Sequence, residues 1–375
     1  MLKLLKKKMI IYKIYRMKLW HLLFIMLIFI CAQGIRAQIV IDSIDMPFPG
    51  DIINISTGLN IDFIDYTETG EDFTWDFSSL IPVYQTADTF VSPSQTPFTY
   101  QFFFMGRTNL AYRYMQDLPI PDFELKNVFY YYKNSHTNYN NAGYAASLNF
   151  LPLPFVLSTP DVIYRFPLEY GDQDSSVSGL VYNLPETAYL SIDRKRVNKV
   201  DGWGELTTPF GTFDVLRMTS EVTEYDSIYI DSLEMGVPVN RQYTEYKWLA
   251  KGQKIPVLKI TSDVSGLIVT YTDSVRVDYD AVHEKFINKG SLQIYPNPAS
   301  TEVFIEFELS KPGDIEIALL GMSGAHFYSL VETHLKKGIN QSRISLKNTF
   351  IPNGAYLLVI RSGKQLMTRK LVINN

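Results

Sequence analysis

Histidine, the usual general base, occurs four times after residue 37: His136, His283, His326 and His334. Two of these fall in the C-terminal text and His283 lies in a polar, unpatterned stretch. His136 sits in an Asn/Tyr-rich segment, Asn134–Asn141, that reads as an exposed loop. A Ser-His-Asp hydrolase would have to use His136, and no Gly-x-Ser-x-Gly elbow accompanies it. Paired carboxylates would serve glycoside hydrolysis, but residues 38–290 hold 33 acids, so counting pairs selects nothing. The dense run Asp62, Asp65, Glu68, Glu71, Asp72 and Asp76 offers hard oxygen ligands for calcium. Its spacing fits no loop motif, and solvated acids are the favoured reading. Tyr130, Tyr131, Tyr132, Tyr139 and Tyr144 surround His136. Exposed rings there would stack on sugar faces and make a glycan the ligand, whereas tyrosine is also an ordinary strand residue. The reading assigns no catalytic residue, no metal ligand and no cofactor, and neither a phosphate-cradling glycine loop nor a zinc spacing occurs.

The elements that would carry such side chains are strands. Of 375 residues, 14% are aromatic, with 25 Tyr and 23 Phe, and long Ala/Glu/Lys/Leu stretches of helical period are missing. That composition predicts an all-β chain with almost no helix. Gly202 to Arg217 reads as strand, tight hairpin at Pro209 to Gly211, strand, and further runs cover Tyr243 to Leu249, Pro256 to Ser262 and Leu267 to Val277. Together they predict a body of curled antiparallel sheets, divided near Pro152 to Pro160 into regions 38–155 and 156–280, with a linker at 281–291. An outer-membrane barrel would need regular strands of about ten residues with a lipid-facing apolar band, which the acidic middle does not supply. Residues 38–290 carry 18 Lys/Arg against 33 Asp/Glu, a balance that repels nucleic-acid phosphates and anionic lipid.

Residues 1–37 carry eight Lys/Arg and no acid, and an apolar run from Leu19 to Ile30 leads to Ala37 and Gln38. This is the layout of a secretory signal peptide cleaved between Ala37 and Gln38, the run being too short to span a bilayer that requires roughly 20 residues. No transmembrane segment is expected in the mature chain, and starts at Met1 or Met17 give the same product. The single cysteine, Cys31, lies inside the leader behind Phe29 and Ile30, unlike a lipoprotein signal. The mature chain therefore has no thiol and no disulfide.

After Gly290 the text becomes short alternating segments: Val303, Ile305, Phe307 and Leu309, then Ile315, Ile317 and Leu319, then Ile344 and Leu346, then Tyr356, Leu358 and Ile360. They predict an Ig-like β-sandwich over 292–375. Three pieces are specific: Tyr295-Pro296-Asn297-Pro298-Ala299, Asn353-Gly354-Ala355-Tyr356-Leu357-Leu358-Val359-Ile360, and Arg369-Lys370-Leu371-Val372-Ile373. In order and spacing this tail resembles the type A C-terminal sorting domain of type IX secretion cargo in Bacteroidetes. The segment around Trp75-Asp76-Phe77-Ser78 is similar to segments in uncharacterised exported Bacteroidetes proteins. The body's sheets resemble, at fold level, the half-barrels of exported lipid carriers.

The resemblance implies recognition of the tail by the type IX machinery at the outer membrane, its removal by a sortase-like peptidase, and attachment of many such bodies to surface lipopolysaccharide. Its site residues are Tyr295, Pro296, Asn297, Pro298, Gly354, Tyr356, Leu358, Ile360 and Lys370. The chain is thus read as secreted or held on the cell surface. The body is read as a non-enzymatic binding, adhesion or envelope-associated module, with a secreted hydrolase acting on polysaccharide or protein as the alternative.

Overall fold

A computed structural model describes residues 38–374 apart from 60–63, 115–117, 121–122, 149–150, 185–187, 231–234, 265, 276–286, 288–289, 322–325, 348–350, 352 and 363–364. Contacts divide the chain into Met1–Gln38 and Ile39–Asn375. The expected leader and Ala37 lie outside the described residues, and Gln38 is exposed.

The body is all-β, as its composition requires. Its strands are β1 (Ile52–Leu59), β2 (Phe73–Asp76), β3 (Ile81–Val91), β4 (Leu110–Arg113), β5 (Leu118–Ile120), β6 (Phe123–Asn134), β7 (Asn138–Leu148), β8 (Leu151–Arg165), β9 (Gln173–Leu184), β10 (Ala188–Thr208), β11 (Gly211–Ile230), β12 (Met235–Leu249), β13 (Leu258–Asp263) and β14 (Gly266–Thr272), with one short helix, α1 (Phe98–Phe104), between β3 and β4. Hydrogen bonding runs from β11 through β12, β13, β14, β1, β3, β4, β6, β7, β8, β9 and β10 back to β11, so the sheet closes into a twelve-stranded barrel. The expected curled sheets are one closed wall. The boundary expected between 155 and 156 falls inside β8, and both sides of it contribute strands to the same ring. Of the expected linker 281–291, Ile287, Gly290 and Ser291 are described, and Ile287 is fully buried against the C-terminal module.

Alternation decides what faces the bore. Along β10, Arg196, Asn198 and Val200 are buried while Lys195, Val197 and Lys199 are exposed. Along β11, Met218, Ser220, Val222, Glu224 and Asp226 point the same way. A bulge between Val200 and Gly202 then reverses β10, so Leu206 faces outward with Val215. One end of the bore is plugged by an apolar cluster in which Ile41 and Met46 of the N-terminal segment meet Phe166, Leu168, Val200, Leu216, Met218 and Leu249. Asp45 anchors that segment by accepting from the Gly252 amide at 2.8 Å.

Outside the barrel, residues 64–80 wrap the wall. Trp75 and Phe77 pack edge-on against Trp248, and Trp75 Nε1 donates to the Glu68 carbonyl at 2.9 Å. Arg217, buried beneath this flap, donates to Asp201 and to the Tyr66 and Thr67 carbonyls and lies 5.3 Å from the Trp248 ring centre. The Trp-Asp-Phe-Ser segment is therefore a structural clasp. β2 runs parallel to β10 from Phe73 against Gly204, which has φ +152°, and an added Cβ there would sit 2.0 Å from the Phe73 carbonyl oxygen. On another face, α1 covers Ala111, Phe129, Tyr131 and Ala145 with Tyr100 and Phe104.

The C-terminal module folds as a sandwich of β15 (Gln293–Tyr295), β16 (Glu302–Leu309) and β19 (Gly338–Ser345) against β18 (His326–Leu335), β17 (Gly313–Gly321), β20 (Gly354–Ser362) and β21 (Gln365–Ile373). The expected alternation holds: Val303, Ile305, Phe307, Leu309, Ile315, Ile317, Leu319, Ile344, Leu346, Tyr356, Leu358 and Ile360 share one buried core.

The Gly204 contact yields a test. Replacing Gly204 by Ala pushes a methyl into the β2 backbone and is expected to cost about 2 kcal/mol or more. Denaturant unfolding followed by tryptophan fluorescence measures it, and an unchanged midpoint would show that β2 is not held there.

Candidate functional site

The bore holds a cavity of about 670 Å³. Eight strands give a bore that side chains just fill, so a twelve-stranded wall leaves room of this size. Its surface combines two sets of groups. One is a ring of tyrosines: Tyr112, Tyr114, Tyr130, Tyr132, Tyr139, Tyr164 and Tyr243. The other is ionic. Asp161 of β8 takes two hydrogen bonds from Arg196 of β10, both 3.0 Å, and one from Arg194 at 3.2 Å. Arg196 also reaches Glu245 of β12 at 2.8 Å, which Lys247 meets at 3.0 Å and Lys259 of β13 at 3.6 Å. Higher along the wall Glu224 pairs with Arg194 and Arg241, and Arg241 bonds Asp226 at 2.6 Å.

Burial and pairing set the protonation of these groups. Burial raises the Asp161 carboxyl, but the Arg196 hydrogen bonds and the charges of Arg196 and Arg194 outweigh it and leave its pKa lowered. Burial likewise works against ionised Glu245, and Lys247, Lys259 and Arg196 together hold its pKa well below the usual carboxylate range. Lys247 is pushed down to about 8 by burial, with Glu245 opposing, so it stays mostly cationic at neutral pH. Asp88 moves up through burial, which its bond from the Tyr112 hydroxyl at 2.9 Å and nearby Lys259 only partly offset. Asp226 moves up through burial and the charge of Glu224. Burial also raises Tyr112, Tyr130, Tyr132, Tyr139 and Tyr164, and takes Tyr243 to about 12, so their hydroxyls remain protonated donors.

The residues weighed from sequence land elsewhere or turn inward. His136 is exposed at the tip of the β6–β7 hairpin, and the expected Asn134–Asn141 loop shrinks to that tip because Asn138–Leu148 is strand. Tyr130, Tyr132 and Tyr139 line the cavity, and Tyr144 packs against Tyr130 and Phe155. Tyr131 faces outward and stacks on Phe104 at 3.8 Å. An exposed sugar-stacking surface at these rings is therefore corrected: alternation turns Tyr130, Tyr132 and Tyr139 to the cavity, α1 covers Tyr131, and Tyr144 is half-buried. Asp62 lies outside the described residues. Asp65 and Asp76 cap local turns through Thr67 and Ser78, bonds that lower both pKa values. Among the described residues no group of three or more His, Cys, Asp or Glu side chains is placed to hold a metal. The ionic network escaped the sequence reading. Its signal was present as period-two charge, Arg194-x-Arg196 and Glu245-x-Lys247, which a solvent face also produces.

In the module the three sequence motifs meet. Asn297 Nδ2 donates to the Lys370 carbonyl at 2.9 Å and its Oδ1 accepts from the Val372 amide at 2.8 Å. Ala299 donates to Val372 and accepts from Asn374, both at 2.8 Å, and Ala299 bridges Ile373 in parallel. Residues 297–299 thus cover the free edge of β21, whose other edge pairs with β20 from Gly354 to Ser362. Tyr295, Pro296, Asn297, Pro298, Gly354 and Lys370 stay exposed at this corner, while Tyr356, Leu358 and Ile360 point into the core. Tyr295 stacks on Phe304, and its hydroxyl accepts from Gln341 at 2.7 Å.

A small β-sandwich with these motifs at one corner defines a sorting module. Residues 293–374 match the family model of the secretion system C-terminal sorting domain, the type IX kind, and the chain is type IX secretion cargo. Export to the cell surface or into the medium follows from that tail. No curated protein matches the chain. Among the described residues no helix is long and apolar enough to cross a membrane.

Two outcomes follow. Because the folded pKa values of Asp161 and Glu245 lie below their unfolded values of 3.8 and 4.5, their stabilisation is full above those values and is lost as pH falls from them through the lower folded values. Asp88 and Asp226, shifted upward, act in the opposite sense and blunt the loss. Unfolding free energy measured from pH 7 to pH 3 should fall in the acid limb, and Glu245→Gln should make that limb shallower; equal slopes would refute the assignment. In the module, Asn297→Ala removes both bonds to β21 and should destabilise the tail by about 1–3 kcal/mol. Calorimetry of the full chain reads this directly, and the variant should also accumulate in the periplasm.

Proposed function

We propose that the exported body is a non-enzymatic binding barrel whose cavity takes a neutral, hydroxyl-rich ligand such as a glycan fragment. The observation that carries this reading is the tyrosine ring. Tyr130, Tyr132, Tyr139, Tyr164 and Tyr243 line the cavity, and among the described residues none of their hydroxyls is seen in a hydrogen bond. Tyr132, Tyr139 and Tyr164 stack on one another, and the rings of Tyr130 and Tyr243 line the cavity beside those hydroxyls, a mixture of apolar ring and polar donor that sugars fit. The ionic groups favour a neutral guest, since Asp161, Glu245, Arg194, Arg196 and Lys247 are engaged with one another rather than held free for a charged ligand. The volume lies within the roughly 300–1,000 Å³ of small-molecule sites. By the resemblance of its tail, the module is removed by a sortase-like peptidase and the body is released or attached to surface lipopolysaccharide.

The hydrolase alternative needs a carboxylate or histidine free to reach a substrate. In the cavity Asp161 and Glu245 are held by arginine and lysine and Asp88 by Tyr112, which supports binding without turnover.

Screening the mature chain against neutral oligosaccharides by calorimetry tests the reading. Binding should weaken by about tenfold or less in Tyr132→Phe, the worth of one hydrogen bond, and the bound sugar should be recovered intact. Cleaved sugar would favour the hydrolase, and the absence of any binding once the cavity is open would end the glycan reading.

A further inference from the structure

The module's four-stranded sheet is apolar on both faces at its centre. Ile317, Leu319, Leu358 and Ile360 point into the sandwich, while Ala318, Leu320 and Val359 on the opposite face are also almost completely buried. A sandwich standing alone would leave that second face in water. Here it packs against Val83 of β3, with Leu357 beside it, in a cluster of its own. The barrel wall is low on this side: β13, β14 and β1 are six to eight residues long, against 21 and 20 for β10 and β11. Leu320, Gly321 and Leu357 continue from this contact into the lining of the cavity, beside Ile55, Thr57 and Ile268.

We infer that the sorting module is the stopper of the barrel, closing the low side of the cavity with the outer face of β17 and β20, so that its detachment opens the tyrosine-lined bore. The inference rests on the cavity being a binding site only for its consequence; the closure itself rests on the contact. Among the described residues the apolar core of the seal is Val83 with four module side chains, small beside the roughly 20–30 residues a side of an independent stable interface. The covalent tether therefore keeps the module seated, and cutting the chain between barrel and module releases it.

The experiment uses the full mature chain with a protease site placed within 276–286. Nitration of Tyr112 and Tyr130 by tetranitromethane, followed by mass spectrometry, reads access to the bore without any ligand. The uncut chain should be protected, and cutting should raise the rate severalfold. Val83→Asp should raise it similarly in the uncut chain by unseating the module. Equal rates before and after cutting overturn the inference, whether or not the pieces separate. A rise in nitration without glycan binding by the opened chain keeps the stopper and removes the glycan reading.

Discussion

The barrel turns on the ion cluster at its centre, where Asp161, Arg196 and Glu245 from three strands hold one another in the bore. A buried charge without a partner is strongly destabilising, so each of these residues makes the others necessary. The cluster also fixes register. A slip of one residue along β10 would turn Arg196 to solvent and present Lys195 or Val197 to Asp161, and every inward side chain would change face with it. Register between β8, β10 and β12 is thus specified by electrostatics at mid-height, while the apolar plug specifies it at the closed end.

That arrangement explains what could be read from the residues alone. The sorting module was legible because its β16 keeps Val303, Ile305, Phe307 and Leu309 on one face and polar or half-exposed groups on the other, the pattern that one-sided burial imposes. Its motifs also carry a local cause each, such as Asn297 standing in for a strand against β21. The barrel was only half legible. Its strands announce themselves, but closure depends on pairs such as Ile55 with Thr272, separated by most of the body. Its inward face carries Arg, Glu, Asp and Tyr, so alternation that normally separates core from water here separates a polar bore from a polar exterior. Consecutive Tyr130, Tyr131 and Tyr132 show the difficulty: two face the bore and one the helix, an assignment set by neighbours distant in sequence.

Prolines misled for a related reason. Pro152, Pro154 and Pro160 suggest a break, yet all three lie within β8. They are tolerated because β8 has only one backbone pairing with β9, Thr159 with Gly179, leaving its amides on that edge largely outside a ladder. Side chains take over part of the stitching: Ser158 Oγ donates to the Gly179 carbonyl, Ser176 Oγ to Val162 and Asn198 Nδ2 to Ile163.

This seam gives the wall a preferred line of yielding. Elsewhere the staves are laced residue by residue, and parting them means breaking a whole row of amide bonds at once. Between β8 and β9 hydroxyl and carboxamide tips bridge the gap together with the Arg165–Asp174 pair, and the Asp161–Arg196 pair spans it from β8 to β10. The girth of the vessel is set there by side chains, serines and an asparagine beside the Asp161–Arg196 pair, rather than by a ladder of amides.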